Sequence, residues 1–242
     1  MVRCGGEARV RRSERLKPAL VSGMLTGMNC LVTAGPTYEP LDAVRRLTNF
    51  STGKLGVELA NHLTDRGHAV TLLIGEQATY AGERRAARVR TFTTTASLRA
   101  ELLGCSGQPV DAVFHAAAVS DFTFGSVWQR APGGELTALQ AGKLSTRAGA
   151  LLAELIPTPK LILELRGWFP GARLAGWKYE VDGGRDEVLR AAHRQLAEAR
   201  TDLCVVNGPA YGPGFGLVSA GAIRSVAEIP ALYAELEQFV RR

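Results

Sequence analysis

The sequence contains no run of 18 consecutive apolar residues, so no stretch of it could cross a bilayer as a helix. It has no Cys-x-x-Cys pair. Its four cysteines, Cys4, Cys30, Cys105 and Cys204, are scattered, and Cys30 and Cys204 lie inside apolar runs. That spacing argues against a disulfide framework and predicts free, buried thiols in a reducing cytoplasm. The four histidines, His62, His68, His115 and His193, form no His-Glu-x-x-His or similar ligand pair, so no structural metal site is predicted. Aromatic residues make up only 7% of the chain and do not interleave with basic ones. The net charge of +6 is also unevenly placed. Residues 1–27 hold Arg3, Arg9, Arg11, Arg12, Arg15 and Lys17 against Glu7 and Glu14, which leaves only +2 for the rest. A nucleic-acid partner is therefore not expected, whereas phosphorylated small molecules remain so.

Two common phosphate fingerprints are missing as well. Walker A needs a glycine where Thr48 stands and a Ser or Thr where Leu55 follows Lys54. The dinucleotide turn Gly-x-Gly-x-x-Gly needs more than the lone Gly35.

What is present is a chain of 242 residues, 46% hydrophobic, enough for one large α/β core. Residues 1–27 have little apolar periodicity and read as a flexible basic extension. Met28 opens directly into an apolar run and looks like a natural start, so 28–242 reads as a single domain without an internal repeat or linker. Short apolar runs at Cys30–Val32, Ala69–Ile74, Val89–Phe92, Asp111–Ala118, Ala172–Glu180 and Asp202–Asn207 predict strands buried on both faces. Between them, 53–66, 95–103, 148–156, 159–166 and 184–200 predict helices, and 229–240 a closing helix. Residues 125–143 predict irregular structure or a hairpin, in the manner of a flap. The alternation means an α/β fold with a doubly wound, mostly parallel, Rossmann-like sheet.

The chain is organised around residues 31–56. A strand and a helix are joined there by a connection far longer than the usual two to six residues, which marks a functional loop. It is dense in Thr33, Thr37, Glu39, Asp42, Arg45, Arg46, Asn49, Ser51 and Thr52, and it ends in Gly53 at a helix start. Backbone N–H groups and the helix dipole converge at such a start and bind phosphate. In an open sheet the ligand crevice lies beyond the carboxyl ends of the strands, so Asp121, just after Ala118, is expected beside this loop. The alternative for Asp121 is a loop carboxylate that accepts backbone N–H groups.

Taken together, Thr33-x-Gly35-x-Thr37, Glu39, Pro40, Asp42, Val44, Arg45 and Asn49-x-Ser51-Thr52-Gly53-Lys54-x-Gly56 resemble the opening motif of the phosphopantothenoylcysteine synthetase family. Ala116–Phe122, Lys143-Leu-Ser, Gly176–Glu180, Val206-Asn207 and Phe215-Gly216 are similar to its later motifs in order and spacing, over nearly all of 29–242. The resemblance implies a ligase of coenzyme A biosynthesis. It would join 4′-phosphopantothenate to cysteine through an acyl-nucleotide, with CTP or ATP as substrate and Mg²⁺. It also implies a cytoplasmic homodimer and, as pathway neighbour, a separate phosphopantothenoylcysteine decarboxylase. The family's flavin-dependent half has no room in this chain, so a stand-alone synthetase without FMN is expected.

By the same resemblance, Asn49 would face the carbonyl oxygen that gains charge and Lys143 would clamp phosphate or carboxylate. Gly35, Thr37, Ser51, Thr52, Gly53, Lys54, Ala118, Asp121, Trp177, Asn207 and Phe215 would bind nucleotide or phosphate, with Asp121 also holding the cation. Read without the resemblance, Asn49 is a loop-bracing amide and Lys143 a solvated lysine. The family's lysines before the Ala-Asn strand are replaced by Arg190, Arg194 and Arg200, and its Phe-x-x-Glu-Thr by Trp177-Lys-Tyr-Glu-Val. Two other classes are carried. A nicotinamide-dependent reductase would need the absent glycine turn and a Tyr-x-x-x-Lys pair. A non-catalytic nucleotide-binding module would be compatible with the altered positions.

Overall fold

The computed structural model describes residues 27–140, 142–145 and 149–241. The expectation for 1–27 lies outside these, apart from Gly27. In chain order the described residues form β1 (Asn29–Ala34), β2 (Tyr38–Pro40), β3 (Arg46–Thr48), α1 (Lys54–Asp65), β4 (Ala69–Gly75), β5 (Arg88–Phe92), α2 (Thr95–Ser106), β6 (Ala112–His115) and β7 (Phe122–Arg130). There follow β8 (Leu136–Leu139), β9 (Leu151–Pro157), α3 (Leu161–Trp168), β10 (Arg173–Tyr179), α4 (Arg185–Ala199), β11 (Leu203–Asn207), β12 (Phe215–Val218), β13 (Ile223–Val226) and α5 (Ile229–Arg241).

Eight strands share one sheet in the order β13-β12-β11-β10-β6-β1-β4-β5. Every join from β5 to β11 is parallel, and the two joins to β12 and β13 are antiparallel. The chain winds outward from β1 through β4 to β5, then returns to β6 and winds the other way. The reversal between β1 and β6 is the topological switch point, where α/β sheets bind ligands.

The central strands read as continuous apolar runs because helices cover both faces. On one face Val32, Leu72 and Phe114 pack with Val57 and Leu63 of α1 and Leu236 of α5. On the other, Leu31, Leu73 and Val113 pack with Leu98 of α2 and Leu165 of α3, while α4 seats Val188 and Ala192 against Cys204 and Val206 of β11. Truncating a fully buried leucine here, such as Leu63, costs about 2–5 kcal/mol. Burial pushes the Cys30 and Cys204 thiols up to about 12, which fits inert structural cysteines.

Three local expectations need correction, while the hairpin expected within 125–143 is present as β7–β8. The helix expected over 148–156 is strand β9, because Leu151–Pro157 alternates as well as it winds and β7 offers an antiparallel partner. The strand expected over 111–118 stops at His115, where Ala116 N–H turns back to the Phe114 carbonyl at 3.2 Å. Two hairpins were not expected: β2–β3, inside the long 31–56 connection, and β12–β13. The 125–143 region supplies most of β7 and all of β8, so the flap is built from a three-stranded sheet, β8-β7-β9.

Candidate functional site

β1 ends at the switch point and hands the chain to the β2–β3 hairpin. Residues 49–53 then return it to the start of α1. The two ends of this excursion cross over Ala78. Gly35 and Gly53 hold positive φ, +76° and +80°. A Cβ on either would approach the Ala78 methyl to 2.8 and 3.0 Å, so each position requires glycine on both counts. Thr52 fixes the crossing further: its carbonyl accepts the Tyr80 N–H at 3.0 Å and its hydroxyl accepts the Lys54 N–H at 3.3 Å. No acidic residue occupies the first turn of α1, so its positive end is not neutralised by a neighbouring carboxylate.

Opposite this crossing runs the Ala116–Asp121 segment. Pro36 and Ala118 form a single parallel bridge. The Ala118 N–H donates to the Gly35 carbonyl at 3.0 Å, and the Ala118 carbonyl accepts the Thr37 N–H at 3.1 Å. The same carbonyl accepts Asn49 Nδ2 at 3.1 Å. One carbonyl thus joins three separate parts of the sequence and sets the Asn49 amide. Hydroxyls complete the junction. Thr37 Oγ1 accepts the Ser120 N–H at 2.8 Å, and the Thr158 hydroxyl donates to the Ser120 carbonyl. Thr37 is buried inside the junction and fastens it.

The flap reaches the site through Asp42. Its shielded carboxylate accepts the N–H groups of Val44 (2.9 Å), Arg45 (2.7 Å) and, across the chain, Leu144 (3.0 Å), and pairs with Arg45 Nη1 at 2.5 Å. Hydrogen bonding, led by the Leu144 N–H, holds this carboxyl below the usual aspartate range. Arg45 Nη1 also donates to the Leu144 carbonyl at 3.2 Å, and the Ala43 N–H to that of Gly142 at 2.9 Å. Lys143 is exposed between these two residues, which are anchored to the turn of the β2–β3 hairpin that leads to Asn49.

Asp121 lies just past the junction and is paired with Lys160 at the start of α3. Lys160 opens a cleft of about 180 Å³ that Lys178 and Arg194 also line, with Gln195 and Glu198. Lys178, at the carboxyl end of β10, supplies a cation that a search along α4 alone misses. Trp177, its neighbour, faces the opposite side of the sheet, where both it and Phe215 pack on the core shared by α1 and α5. The Trp177 indole nitrogen is buried without a hydrogen-bond partner among the described residues. Asn207, paired in register with Tyr179, accepts the Glu180 N–H on its carbonyl at 3.1 Å. Ser51 is half-buried and Thr52 exposed, while Lys54 lies 3.8 Å from Glu58.

The structure therefore brings Gly35, Thr37, Asn49, Gly53 and Ala118 into one junction, with Asp121 beside it. Trp177 and Phe215 stand on the α1 face. Asp42, Lys160 and Lys178 belong to the same end of the sheet. Asp42 was legible as part of the long motif, and the two lysines only from the strand order.

Among known proteins, the family model described as the DNA/pantothenate metabolism flavoprotein C-terminal domain matches residues 25–222. The chain is 32% identical over 207 residues to the coenzyme A biosynthesis bifunctional protein CoaBC of Thermococcus kodakarensis, covering 84% of this chain and 47% of that one. It is 30% identical to the protein of the same name from Bacillus subtilis, covering 86% and 47%. It thus spans about half the length of these curated relatives. A solved structure, the DNA/pantothenate metabolism flavoprotein from Streptococcus pneumoniae, superposes with a TM-score of 0.78 at 25% identity, covering 89% of this chain and 99% of that one.

Proposed function

The chain belongs to the DNA/pantothenate metabolism flavoprotein C-terminal domain family, and from that premise we propose that it is a ligase joining 4′-phosphopantothenate to cysteine. In the first step the pantothenate carboxylate attacks the α-phosphorus of CTP or ATP, and pyrophosphate leaves. In the second the cysteine amine attacks the acyl carbon, the nucleotide monophosphate leaves and the amine loses its proton. The observation that carries this reading is the junction at Ala118, which fixes a neutral amide, Asn49, beside an uncapped helix start at the switch point.

Both substrates are polyanions, so the site must offset charge. The α1 N–H groups, Ser51, Thr52 and Lys54 meet one phosphate group. Lys143 closes on the carboxylate or phosphate from the flap. Lys160, Lys178 and Arg194 line the cleft that receives the nucleotide's phosphates, with Trp177, Asn207 and Phe215 toward the rest of the nucleotide. Asn49 donates to the acyl oxygen as it gains charge in the second step.

No group of three or more metal-ligating side chains occurs among the described residues. A single carboxylate suits Mg²⁺, which takes most of its ligands from water and substrate phosphates. Asp121 would hold it, after exchanging its pairing with Lys160, and the ion would supply charge neutralisation. The protein acts as a cytoplasmic homodimer. The exposed Leu136, Leu151, Leu155 and Ile156 of the flap sheet support a partner copy there.

The deciding assay is pyrophosphate release by the purified chain with 4′-phosphopantothenate, cysteine and Mg²⁺, given CTP or ATP in turn. Release that requires phosphopantothenate is expected. A folded chain that binds nucleotide and releases nothing would instead be a non-catalytic module.

A further inference from the structure

Beneath the Ala118 junction lies a polar pair that the proposed reaction leaves without a role. His115 is the last residue of β6 and stands opposite Thr33 of β1 in the parallel register. Both are buried, at 6% and 0% exposure. Thr33 Oγ1 lies 3.0 Å from His115 Nδ1 and accepts the Ala117 N–H at 3.1 Å. Oγ1 accepts that N–H and keeps its own hydrogen and a second lone pair for the imidazole, so the two side chains are joined whichever ring nitrogen carries the proton. Burial keeps the ring neutral, lowering its pKa to about 4.

The pair occupies a layer where carbon would pack as well. On the same face, the residues two positions earlier in each strand are Leu31 and Val113. A polar pair in such a place costs desolvation, and when fully satisfied it specifies one geometry rather than many. The geometry at stake is that of Ala116–Ala118. β6 has ended, so this segment is held to β1 and its loop by the Thr33 hydroxyl on Ala117 N–H and the Gly35 carbonyl on Ala118 N–H. Thr33 is thus one of two acceptors that tether the segment whose Ala118 carbonyl aims Asn49.

We propose that Thr33 and His115 act as a positioning pair, which fixes the Ala117–Ala118 backbone and, through the Ala118 carbonyl, the Asn49 amide. The proposal rests on the reading of Asn49 as the donor to the acyl oxygen. Neither residue touches substrate.

The test is kinetic coupling in the full chain, measured on amide formation from phosphopantothenate, cysteine and the preferred nucleotide. Thr33→Val should lower kcat about tenfold, the worth of one lost hydrogen bond of ordinary size, and leave the nucleotide KM unchanged. Thr33→Ser, which keeps the hydroxyl, should restore kcat. In an Asn49→Ala background, Thr33→Val should cost nothing further, and Thr33→Val/His115→Leu should be no slower than Thr33→Val. A plain packing role would multiply the losses instead. Thr33→Val at full kcat, or the same fold-loss in both backgrounds, overturns the pair. Asn49→Ala at full kcat overturns the Asn49 reading and the coupling with it, so the two failures are distinct. Should Thr33→Val not fold, His115→Asn against His115→Leu makes the same comparison, with the asparagine amide as replacement partner for the threonine hydroxyl.

Discussion

The two ends of the central sheet are closed by different chemistry. At the amino end the strands begin on charged groups. Asp111 accepts the Asn29 N–H at 2.7 Å, and Asp202 accepts the Leu174 N–H at 2.7 Å while pairing with Arg166. His68 accepts the Met28 N–H at 3.1 Å and leans on Glu237, which Arg241 also holds. At the carboxyl end the same work falls to neutral groups: Thr33, Thr37, Asn49, Ser120 and Thr158, with two glycines in left-handed conformations. An unpaired carboxylate at that end would repel the phosphates proposed to bind there. Hydroxyls and amides satisfy the backbone without adding charge. The carboxylates that do stand there are already engaged: Asp42 by backbone N–H groups and Arg45, Glu39 by the Thr95 N–H at 2.9 Å, and Asp121 by Lys160.

This contrast predicts that damage at the carboxyl end shows in rate and damage at the amino end in stability. The largest effect belongs to Asn49→Asp. Losing a donor and gaining a negative charge at the acyl oxygen should slow amide formation by about 10²–10³-fold. Acyl-nucleotide should accumulate in single-turnover quench experiments, with only a small drop in the thermal midpoint because the lost bond to the Ala118 carbonyl is solvent-exposed. Unchanged turnover would remove Asn49 from the reaction. Lys143→Ala should follow at about 10²-fold or less, seen in kcat with nucleotide binding intact, since its neighbours Gly142 and Leu144 stay anchored.

Acid sharpens the comparison next. His115 titrates near 4 in the fold against 6.5 unfolded, and burial with the nearby Arg66 also lowers His62. Below 6.5 the unfolded chain takes up protons that these folded imidazoles refuse. Stability should therefore fall as pH drops from 6.5 toward 4, by about 3 kcal/mol for His115 alone. Urea midpoints at pH 7 and 5 would show it, and His115→Gln should flatten the slope. An unaltered slope would assign the loss elsewhere. Asp42 has the same sign in a lower window: its lowered carboxyl stabilises the docked flap above its unfolded value of 3.8, and that is lost only as pH falls further.

The smallest effect belongs to the amino end. Asp202→Ala strips an acceptor from the Leu174 N–H and half of a partly exposed ion pair, at a cost of about 1–2 kcal/mol. The thermal midpoint should drop by about 2–8 °C with kcat preserved. A rate loss as large as that of Lys143→Ala would erase the distinction between the two ends.

Much of this was legible in the residues. The apolar runs of Cys30–Val32 and Ala69–Ile74 read as strands covered on both sides, as they are, whereas the positive φ of Gly35 and Gly53 emerged only from the structure. The long motif from Thr33 to Gly56 placed Asn49, Ser51 and Thr52 in one loop. The β9 segment was misread because Leu151, Leu152 and Leu155 suit a helix as well as a strand, and only pairing with β7 decides between them. The hairpins were missed because strands of three or four residues carry too little periodicity to be seen.

By itself the sequence determined what depends on near neighbours: strand and helix order, hence a doubly wound sheet, a glycine-led helix start at the end of the long loop, and a family motif long enough to be specific. The tertiary structure alone decided what depends on residues far apart. It chose the Ala118 carbonyl as the meeting point of Gly35, Thr37 and Asn49, docked Leu144 on Asp42, and set Lys160 and Lys178 around one cleft. The physical reason is range. Side-chain periodicity reports a residue's own turn or pleat, whereas a hydrogen bond spanning 69 or 102 positions exists only once the sheet has placed its two ends together.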